Sequence, residues 1–458
     1  MLRIFSRHIA IWTLVLFAGD VVCYLLSMVV AIFLNPITAK NPWYFLGESA
    51  IPLTLVGMTY FVVLFIADIY NYEHDFREPL NIARVYFSSW VGTIVIMIIY
   101  YFPFGSFVGR TLLLIQAATF SFLMLIWRFA FSSIAVPERL QKRMVIIGSG
   151  KSAQLLLRTV KARPRCGLLP VGFVEDKAEK AGAPVCGLPV LGPSSQLEDL
   201  IQEHRISLLA VAGMHKKSPT LINTLLKASW HGCQLLDIPT IMEYLTGTVP
   251  TGHISDNWLF EWSLKSYKGY YYRIKRIFDL SLAVVFLALT SILFLVVALL
   301  IKLDSRGPVF FRQERSGQDG QPFKILKFRT MQMDAENGPT WTSDNDPRIT
   351  RVGRFIRKLR LDELPQLINI LKGEMSFIGP RPLVPSENDN IMPYFNYRLL
   401  VKPGLTGWAQ VMYPEGLSLD STAEKVKYDL YYIKNMGLLL DLAILLKTVR
   451  IVLFGRGR

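Results

Sequence analysis

Long apolar runs dominate the hydrophobic pattern of this chain. Each of the first four approaches the ~20 residues that a helix needs to cross a bilayer. A fifth run, Leu280 to Ile301, has no charged residue and would form a helix of ~33 Å. The pattern therefore predicts a four-helix transmembrane unit over residues 1–138 and one more membrane helix later in the chain. The first four runs lie at roughly 9–34, 50–69, 85–102 and 111–136.

The positive residues between the runs predict the orientation of this unit. Lysine and arginine precede the first run, separate the second from the third and follow the fourth, whereas the opposite loops hold only Lys40 and Arg110. Because cytoplasmic loops are enriched in these residues, we expect both ends of the unit to face the cytoplasm. Asp20 and Asp68 lie inside or at the end of predicted spans, where we expect helix–helix hydrogen bonds.

The fifth run has positive residues on both flanks, such as Arg276 before it and Lys302 after it. Both flanks therefore favour the same, cytoplasmic face. A full span would also place everything after residue 302 outside the cell. A re-entrant helix over about 277–303 satisfies both conditions, with Thr290 and Ser291 satisfying backbone groups at its bend.

Residues 139–250 have a different pattern, in which buried strands alternate with helical stretches. Lys142–Ile147 has the pattern of a buried parallel strand, and the glycine turn Gly148–Gly150 after it opens a helix. A second strand ends at Glu175-Asp176, where a ribose ligand would lie. This order predicts a Rossmann-like doubly wound sheet. The domain could bind a nucleotide, but we favour assembly or regulation because no catalytic residue accompanies the glycine turn.

The composition narrows the classes of partner. The chain has a formal net charge of +15 and a hydrophobic fraction of 52%, with a mean hydropathy of +0.34. Such a charge suits nucleic acid, anionic lipid or phosphorylated substrates, and the membrane segments favour the last two. We therefore expect no nucleic-acid partner. The four cysteines form no CxxC pair, which argues against a zinc site or a disulfide framework.

The strongest candidate chemistry lies at Leu361–Gln366. Asp362 and Glu363 are adjacent carboxylates at the end of a basic stretch, and Pro365 follows them. Since proline is tolerated in the first turn of a helix, we predict a helix from Asp362 to Leu371 with Asp362 as its N-cap. Carboxylates among arginines indicate a site for a metal and a phosphate. The alternative is that Asp362 serves merely as a helix cap.

The basic stretch itself is predicted to be a helix, Ile349–Leu361. It combines arginines and a lysine with apolar residues such as Phe355. One interpretation is a helix on the membrane surface, among lipid phosphates. The other is a solvated basic face, and the pattern leaves both open.

Six short motifs follow one another in the second half of the chain, and together they resemble those of a known family. The family is that of the polyprenyl-phosphate hexose-1-phosphate transferases, bacterial sugar transferases that start exopolysaccharide and O-antigen units. The motifs are Lys275–Asp279, Lys327–Met331, Leu361–Gln366, Gly379–Pro382, Lys402–Gln410 and Tyr428–Asn435.

This resemblance extends to the domain organisation, because the four-span front and the α/β middle resemble the long form of the family. It implies a transmembrane domain at 1–138 and a Rossmann-like, CoA-binding-like domain at 139–250. A linker at 251–269 would lead to a monotopic α/β catalytic domain at 270–458, which contains the re-entrant helix. The implied location is the bacterial inner membrane, with the catalytic domain on the cytoplasmic face. The middle domain favours a homodimer, although the oligomeric state stays open.

The resemblance also implies a reaction. The family moves a sugar 1-phosphate from a UDP-sugar to undecaprenyl phosphate and releases UMP, through a covalent aspartyl-phosphosugar intermediate. Asp362 is implied as the nucleophile, and Glu363 would assist the lipid phosphate or bind Mg²⁺, with both carboxylates as candidate metal ligands. The implied substrate-binding residues are Lys327, Arg329, Arg357, Gln366, Arg381 and Pro382.

Two further residues are implied for the re-entrant helix: Asp279 at its start and Ser291 at its bend. The family pattern has proline after that serine, whereas this chain has Ile292. Because proline is the simplest cause of a kink, re-entry here has to depend on Ser291, packing and the flanking charges.

Two alternatives belong to other functional classes. The first is a membrane NAD-dependent nucleotide-sugar dehydratase, in which Tyr271 and Lys275 would supply the YxxxK pair of reductases. We interpret that spacing as coincidence, because the pair adjoins a membrane segment and no complete reductase set is found. The second is a non-catalytic scaffold for polysaccharide assembly, which the intact Asp362-Glu363 pair argues against.

Overall fold

The computed structural model of this chain divides into two compact units, Met1–Thr246 and Gly247–Arg458. Most of the predicted linker, 251–268, lies outside the residues that the structure describes. The described residues are 2–4, 7–9, 11–70, 76, 78–104, 109–134, 141–164, 166–175, 184–211, 219–230, 232–250, 269–332, 346–384, 395–413 and 419–454.

The first unit begins with the membrane helices that the apolar runs predict. By length and composition, three segments can each cross a membrane: Thr13–Leu34, Pro79–Ile99 and Arg110–Ser133. Two shorter helices, Pro42–Glu48 and Ala50–Ile66, form a pair bent by 74° that is one more candidate span. These helices, together with the homology described below, make the chain a membrane protein. The elements are β1 (Leu2–Ile4), β2 (Arg7–Ile9), α1 (Ile11–Leu34), α2 (Pro42–Glu48), α3 (Ala50–Ile66), α4 (Pro79–Phe104) and α5 (Arg110–Ile134).

A buried ion pair joins the first and last of these helices. Asp20 of α1 accepts a hydrogen bond from Nη2 of Arg128 of α5 at 2.7 Å, and both side chains are almost fully buried. The Arg128 guanidinium also lies 5.0 Å from the ring centroid of Phe76. The helix–helix role predicted for Asp20 is therefore confirmed. Asp68 lies in the turn after α3, where its backbone is left-handed, with φ of 62°.

The second half of this unit is a five-stranded parallel sheet, whose strands lie in the order Val190–Gly192, Leu168–Val174, Lys142–Ile147, Leu208–Val211 and Gln234–Asp237. Met144 and Ile146 pack in one apolar cluster with α6 and α9. Val145 and Ile147 face the other way and pack with α7 and α8. Helices on both faces confirm the predicted doubly wound sheet. The elements are β3 (Lys142–Ile147), α6 (Lys151–Lys161), β4 (Leu168–Val174), β5 (Val190–Gly192), α7 (Leu197–Glu203), β6 (Leu208–Val211), α8 (Pro219–Trp230), β7 (Gln234–Asp237) and α9 (Ile238–Thr246).

The glycine turn of this sheet is occupied by one of its own carboxylates. Glu175 Oε2 accepts hydrogen bonds from the backbone N–H of Ser149 at 2.8 Å and from its hydroxyl at 2.7 Å. Glu175 thus lies where a ribose ligand was predicted, but it is bonded to the turn. Asp176 is outside the described residues, and nucleotide binding stays a prediction.

The first helix that the structure describes in the second unit is α10 (Gly269–Asp304), one continuous helix of 36 residues and ~54 Å. It is not interrupted at the predicted bend. The hydroxyls of Thr290 and Ser291 donate to carbonyls of their own helix, Phe286 O at 2.6 Å and Ala288 O at 2.8 Å. Ile292, unlike proline, also keeps the N–H that a regular helix uses. The re-entrant bend is not confirmed and stays a prediction.

The remaining elements form an α/β domain around one apolar core, which includes Tyr271 and Ala283 of α10. Gly379 and Gly404 permit a close approach between β10 and β11, because a Cβ on Gly404 would lie 2.1 Å from the nitrogen of Gly379. The elements are β8 (Phe310–Ser316), β9 (Pro322–Phe328), α11 (Arg351–Lys358), α12 (Gln366–Lys372), β10 (Ser376–Ile378), β11 (Gly404–Thr406), α13 (Trp408–Met412), α14 (Leu419–Lys434) and α15 (Leu438–Phe454), with 3-10 helices at Leu361–Glu363 and Phe395–Leu400.

Candidate active site

The two candidate carboxylates lie in a short 3-10 helix, Leu361–Glu363, between α11 and α12. The chain turns there because Arg360 has a left-handed backbone, with φ of 54°, which costs an L-residue ~1–2 kcal/mol. The prediction that Asp362 is the N-cap of a helix is wrong. The α-helix begins only at Gln366, directly after Pro365, and Asp362 lies in the separate 3-10 helix that follows the left-handed turn at Arg360.

The ends of the two neighbouring helices have residues that commonly begin or end a helix. The basic helix α11 begins at Arg351, after Thr350, whose side chain accepts a hydrogen bond from the N–H of Gly353 at 2.9 Å. It ends at Lys358, before the left-handed residue that starts the turn. The helix that follows the turn ends before Gly373, which adopts the left-handed conformation that commonly terminates helices, with φ of 87°.

Glu363 is the electrostatic centre of the site. Its Oε1 lies 3.0 Å from Nη2 of Arg381 and 3.8 Å from Nζ of Lys327. Burial would raise the pKa of Glu363, but the charges of Arg381 and Lys327 outweigh burial and hold that pKa at about 2. Glu363 is therefore ionised throughout the physiological range, and it is a poor proton donor.

Asp362 has a different environment, although it is the adjacent residue. It is half-buried, and burial raises its pKa to about 6, with the charge of Glu363 acting in the same direction. The positive charges of Lys327, Arg357 and Arg381 oppose this rise. Asp362 is therefore mostly ionised at pH 7.5. Within the described residues, no hydrogen-bond donor engages its carboxylate, so both oxygens are available for chemistry.

The structure brings some of the predicted substrate-binding residues together. Lys327 on β9 and Arg381, after β10, contact Glu363, and Arg357 on α11 acts on Asp362 through its charge. Burial lowers the pKa of Lys327. These three cations lie around the carboxylate pair, which is an arrangement suited to phosphate groups.

Other predicted residues are buried in the fold. The guanidinium of Arg329 donates to the carbonyls of Arg306 and Ser305, at 2.9 Å and 2.8 Å, just after the end of α10. Gln366 is 3% exposed at the start of α12, and Pro382 is buried beside Arg381. Their predicted contact with substrate stays a prediction.

The residues predicted for the membrane helix lie apart from one another. Asp279 is buried, and its Oδ1 accepts hydrogen bonds from the N–H of Phe377 at 3.0 Å and the hydroxyl of Ser376 at 3.1 Å. It therefore fastens α10 to β10. Ser291 bonds only within α10 among the described residues.

One buried carboxylate was not predicted. Asp441 of α15 accepts hydrogen bonds from Tyr271 at 2.7 Å, Lys275 at 2.9 Å and Tyr432 at 3.0 Å. Tyr271 and Lys275, the two residues with the YxxxK spacing, therefore have a structural role: both bond to Asp441 and so hold the start of α10 against α15. A lone acid in the apolar run Leu438–Phe454 was the signal that could have identified Asp441.

The carboxylate pair has limited capacity for a metal. The described residues contain no group of three or more His, Cys, Asp or Glu side chains that could hold an ion. Mg²⁺ usually binds through one or two carboxylates and completes its shell with water and substrate phosphates. Asp362 and Glu363 fit that mode, because each has at least one carboxylate oxygen without a hydrogen bond among the described residues.

Comparison with known proteins identifies the family. The family described as bacterial sugar transferase matches residues 270–455, and the family described as CoA-binding domain matches residues 66–233. The chain therefore belongs to the bacterial sugar transferases of the undecaprenyl-phosphate hexose-1-phosphate type, a conclusion that also rests on the curated relatives below.

Three relatives illustrate the similarity. The UDP-N-acetylgalactosamine-undecaprenyl-phosphate N-acetylgalactosaminephosphotransferase of Aeromonas hydrophila is 45% identical over 234 residues, covering 49% of this chain and 55% of that protein. The UDP-galactose-lipid carrier transferase of Erwinia amylovora is 32% identical, covering 69% of each chain. The UDP-glucose:undecaprenyl-phosphate glucose-1-phosphate transferase of Escherichia coli K12 is 33% identical, covering 67% of each. The chain thus spans only about half of the Aeromonas protein.

Proposed function

We propose that this chain transfers a sugar 1-phosphate from a UDP-sugar to undecaprenyl phosphate and releases UMP, as the first step of exopolysaccharide or O-antigen synthesis. The observation that carries the proposal is the carboxylate of Asp362, which accepts no hydrogen bond within the described part of the chain and lies beside the cluster of Glu363, Lys327 and Arg381. The names of the relatives support the substrate classes, and they include three different hexoses.

In the first half-reaction, an oxygen of Asp362 attacks the phosphorus that bears the sugar. A bond forms between that oxygen and phosphorus, and the bond between phosphorus and the bridging oxygen of the diphosphate breaks. UMP leaves with the electron pair of that bond, and an aspartyl-phosphosugar remains on the protein. A carboxylate nucleophile in this way divides one difficult phosphoryl transfer into two easier steps.

In the second half-reaction, an oxygen of undecaprenyl phosphate attacks the same phosphorus. The bond from phosphorus to Asp362 breaks, and the carboxylate is regenerated with its electron pair. The product is a sugar joined to the lipid through a diphosphate. No net proton transfer is required when the lipid phosphate is a dianion.

The cations of the site offset the repulsion between the carboxylates and the phosphates. Lys327, Arg357 and Arg381 supply positive charge around Asp362, and such fixed charge stabilises the negative charge of a phosphoryl-transfer transition state. Glu363 cannot act as a proton donor while its pKa is about 2. We therefore assign Glu363 to orienting Arg381 and Lys327, and its carboxylate would be a ligand of Mg²⁺ when the ion is bound.

Mg²⁺ fits this proposal as a cofactor. The carboxylates of Asp362 and Glu363 would hold it together with the substrate diphosphate. When bound, it supplies further neutralisation of phosphate charge.

The membrane geometry supports a catalytic unit that stays on one face of the bilayer. Arg276, near the start of α10, donates to the carbonyls of Ile370 at 2.6 Å and Leu371 at 2.8 Å. Val297 and Ile301, near its end, pack with Phe328 of the same unit. Both ends of an apolar helix thus contact one domain. We propose that α10, although it is uninterrupted, enters the inner membrane only from the cytoplasmic side, as the predicted re-entrant path requires.

A labelling experiment tests the topology. Cys186 is the exposed member of the four cysteines, so Cys186→Ser gives a low background. In that background, Lys324→Cys on β9 should react with a membrane-impermeant maleimide only after the cells are opened. Lys40→Cys, in the loop predicted to be periplasmic, should react in intact cells. Reaction of the cysteine at 324 in intact cells would contradict the re-entrant path.

An assay of radiolabelled UDP-sugars tests the function. Membranes containing the protein are incubated with undecaprenyl phosphate, Mg²⁺ and UDP-glucose, UDP-galactose or their N-acetylated analogues. The expected result is label in the lipid fraction and one UMP per transfer for at least one sugar, with loss of both in Asp362→Asn. Full activity of a correctly folded Asp362→Asn protein would remove the nucleophile assignment.

A further inference from the structure

The segment that carries Arg381 is fixed along its backbone. Four successive carbonyls, from Pro380 to Leu383, each accept a hydrogen bond from another part of the second unit. Two of the donors are backbone N–H groups, and the other two are arginine side chains. The contacts are Gly404 N to Pro380 O (2.9 Å), Arg398 Nη2 to Arg381 O (2.8 Å), Arg315 Nη1 to Pro382 O (3.4 Å) and Ser316 N to Leu383 O (3.0 Å).

Arg398 makes the closest of these side-chain contacts. It lies in the 3-10 helix Phe395–Leu400 and is 6% exposed. The same Nη2 atom is 2.9 Å from Oδ2 of Asp429 of α14, which is 2% exposed. The guanidinium also lies 5.0 Å from the ring centroid of Phe395. Arg398 therefore bridges a buried carboxylate and the backbone of Arg381.

This ion pair is set in an apolar cluster. Phe395, Val426 and Leu430 are buried together around the junction of the 3-10 helix and α14, and Leu383 packs against them. A buried charge is costly unless it is paired and hydrogen-bonded. Asp429 is therefore suited to keep the Arg398 guanidinium in one place, where it can donate to the Arg381 carbonyl.

We propose that Arg398 and Asp429 are positioning residues that hold Arg381 against Glu363 and so aim its guanidinium at the transferred phosphate. The proposal rests on the transferase function proposed above. The contacts run from Asp429 to Arg398 (2.9 Å), from Arg398 to the carbonyl of Arg381 (2.8 Å), and from the side chain of Arg381 to Glu363 (3.0 Å). Neither Arg398 nor Asp429 reaches the carboxylate pair itself in these contacts.

The expected consequence is kinetic. Without Arg398, the Arg381 carbonyl loses its donor, and the Arg381 side chain can shift from its position. A displacement of about 1 Å in a group that stabilises a transition state can cost ~10²-fold in rate. We expect Arg398→Met to lower kcat by roughly 10- to 100-fold while KM for the UDP-sugar changes by less than about threefold.

A double-mutant cycle with Arg381 tests whether Arg398 acts through it. UMP release is measured for the wild-type protein, Arg398→Met, Arg381→Ala and the double variant. If Arg398 only positions Arg381, the double variant should be no slower than Arg381→Ala alone. If the two losses multiply, Arg398 acts independently of Arg381 and the proposal is overturned. The wild-type assay distinguishes failure of the positioning role from failure of the proposed transferase function. A wild-type protein that releases no UMP refutes the transferase function itself.

A charge exchange distinguishes positioning from stability. Arg398→Asp combined with Asp429→Arg restores opposite charges but replaces the donor to the Arg381 carbonyl by an acceptor. We expect a higher melting temperature than for either single exchange, with kcat still at least 10-fold below wild type. Recovery of kcat together with the melting temperature would show a merely structural pair and would overturn the proposal.

The controls keep the result interpretable. Lys427 lies on the same helix as Asp429 and pairs with Glu424. Lys427→Met removes an ion pair but no hydrogen-bond donor to the Arg381 segment. Its kcat should therefore stay within about twofold of the wild-type value. If Arg398→Met does not fold, Arg398→Lys replaces it in the same cycle. The lysine keeps the charge but cannot match the guanidinium geometry. We therefore expect Arg398→Lys to lower kcat in the wild-type background and to have no further effect in the Arg381→Ala background.

Discussion

Nη2 of Arg381 lies 3.0 Å from Oε1 of Glu363, and this contact joins two motifs that are 18 residues apart in sequence. One motif supplies the carboxylates and the other supplies a guanidinium. The adjacent Asp362, by contrast, has no hydrogen-bond donor on its carboxylate among the residues that the structure describes. The difference in partners explains why two neighbouring acids have pKa values of about 2 and about 6.

The pairing of Glu363 predicts a loss of stability in Glu363→Gln. Its folded pKa is below the unfolded value of 4.5, so its stabilising contribution is present above pH 4.5 and is lost as the pH falls through about 2. We expect the variant to be less stable by about 1–3 kcal/mol at pH 7.5. Thermal unfolding in nanodiscs at pH 7.5 measures this, and an unchanged melting temperature would contradict the pairing.

Asp362 should behave in the opposite way in metal-free protein. Its folded pKa is raised to about 6, so its contribution to stability is present below its unfolded value of 3.8 and is lost as the pH rises through about 6. Asp362→Asn should therefore be as stable as wild type, or more stable by roughly 1–2 kcal/mol, at pH 7.5. Unfolding measured with a chelator from pH 5 to 8 should show this advantage growing with pH. If the stability of Asp362→Asn relative to wild type fell as the pH rises, the raised pKa of Asp362 would be contradicted.

The same raised pKa predicts the pH dependence of the proposed reaction, because a carboxylate has to be ionised to attack phosphorus. The rate of UMP release in a single turnover should be level above about pH 7 and fall nearly tenfold per pH unit well below 6. Rapid-quench measurements at a fixed saturating UDP-sugar concentration check this. A rate that stays level down to pH 4.5 would exclude a nucleophile with this pKa.

Asp441 is expected to fasten the membrane helix to the catalytic domain. Asp441→Leu would leave Lys275, whose side chain is 11% exposed, without its 2.9 Å partner. We expect a loss of about 3–5 kcal/mol, as for other buried ion pairs broken on one side. The matched variant is Lys275→Met with Asp441→Leu, which removes both charges and should recover much of the stability. Equal losses in the single and double variants would argue against the pair.

The buried ion pair between Asp20 and Arg128 in the transmembrane unit should also be destabilised when only one partner is removed. Asp20→Leu leaves Arg128 buried without its carboxylate, at a cost of about 3–5 kcal/mol. The protein level in membranes should fall in this variant and in Arg128→Met, and should rise again when the two are combined. Normal levels of both single variants would show that the pair contributes little.

Much of the fold could be predicted from local patterns. The apolar runs identified the membrane helices, and Lys142–Gly150 identified the start of the parallel sheet. The N-cap predicted for Asp362 was wrong, because the chain takes a left-handed turn at Arg360, and arginine, unlike glycine, gives no local signal for that conformation. Proline at 365 was compatible with a helix that began either before or at that point.

The other features that the sequence did not indicate are contacts between charged residues that are far apart along the chain. Arg398 and Asp429 are separated by 31 positions (429 minus 398), and nothing in either local pattern connects them. Arg329 was assigned to substrate because it lies in a basic motif, yet its guanidinium donates to the end of α10. The partner of a charged side chain depends on tertiary contacts, which a motif alone does not specify.

The most direct test of the central claim is a mass measurement of the intact protein. Purified protein is mixed with Mg²⁺ and the UDP-sugar that supports turnover, without undecaprenyl phosphate. The proposal predicts that the protein gains the mass of one phosphosugar, located at Asp362 by peptide analysis, with one equivalent of UMP released. Addition of undecaprenyl phosphate should then discharge the adduct. UMP release that requires both substrates together, with no adduct on any residue, would contradict a covalent intermediate on Asp362.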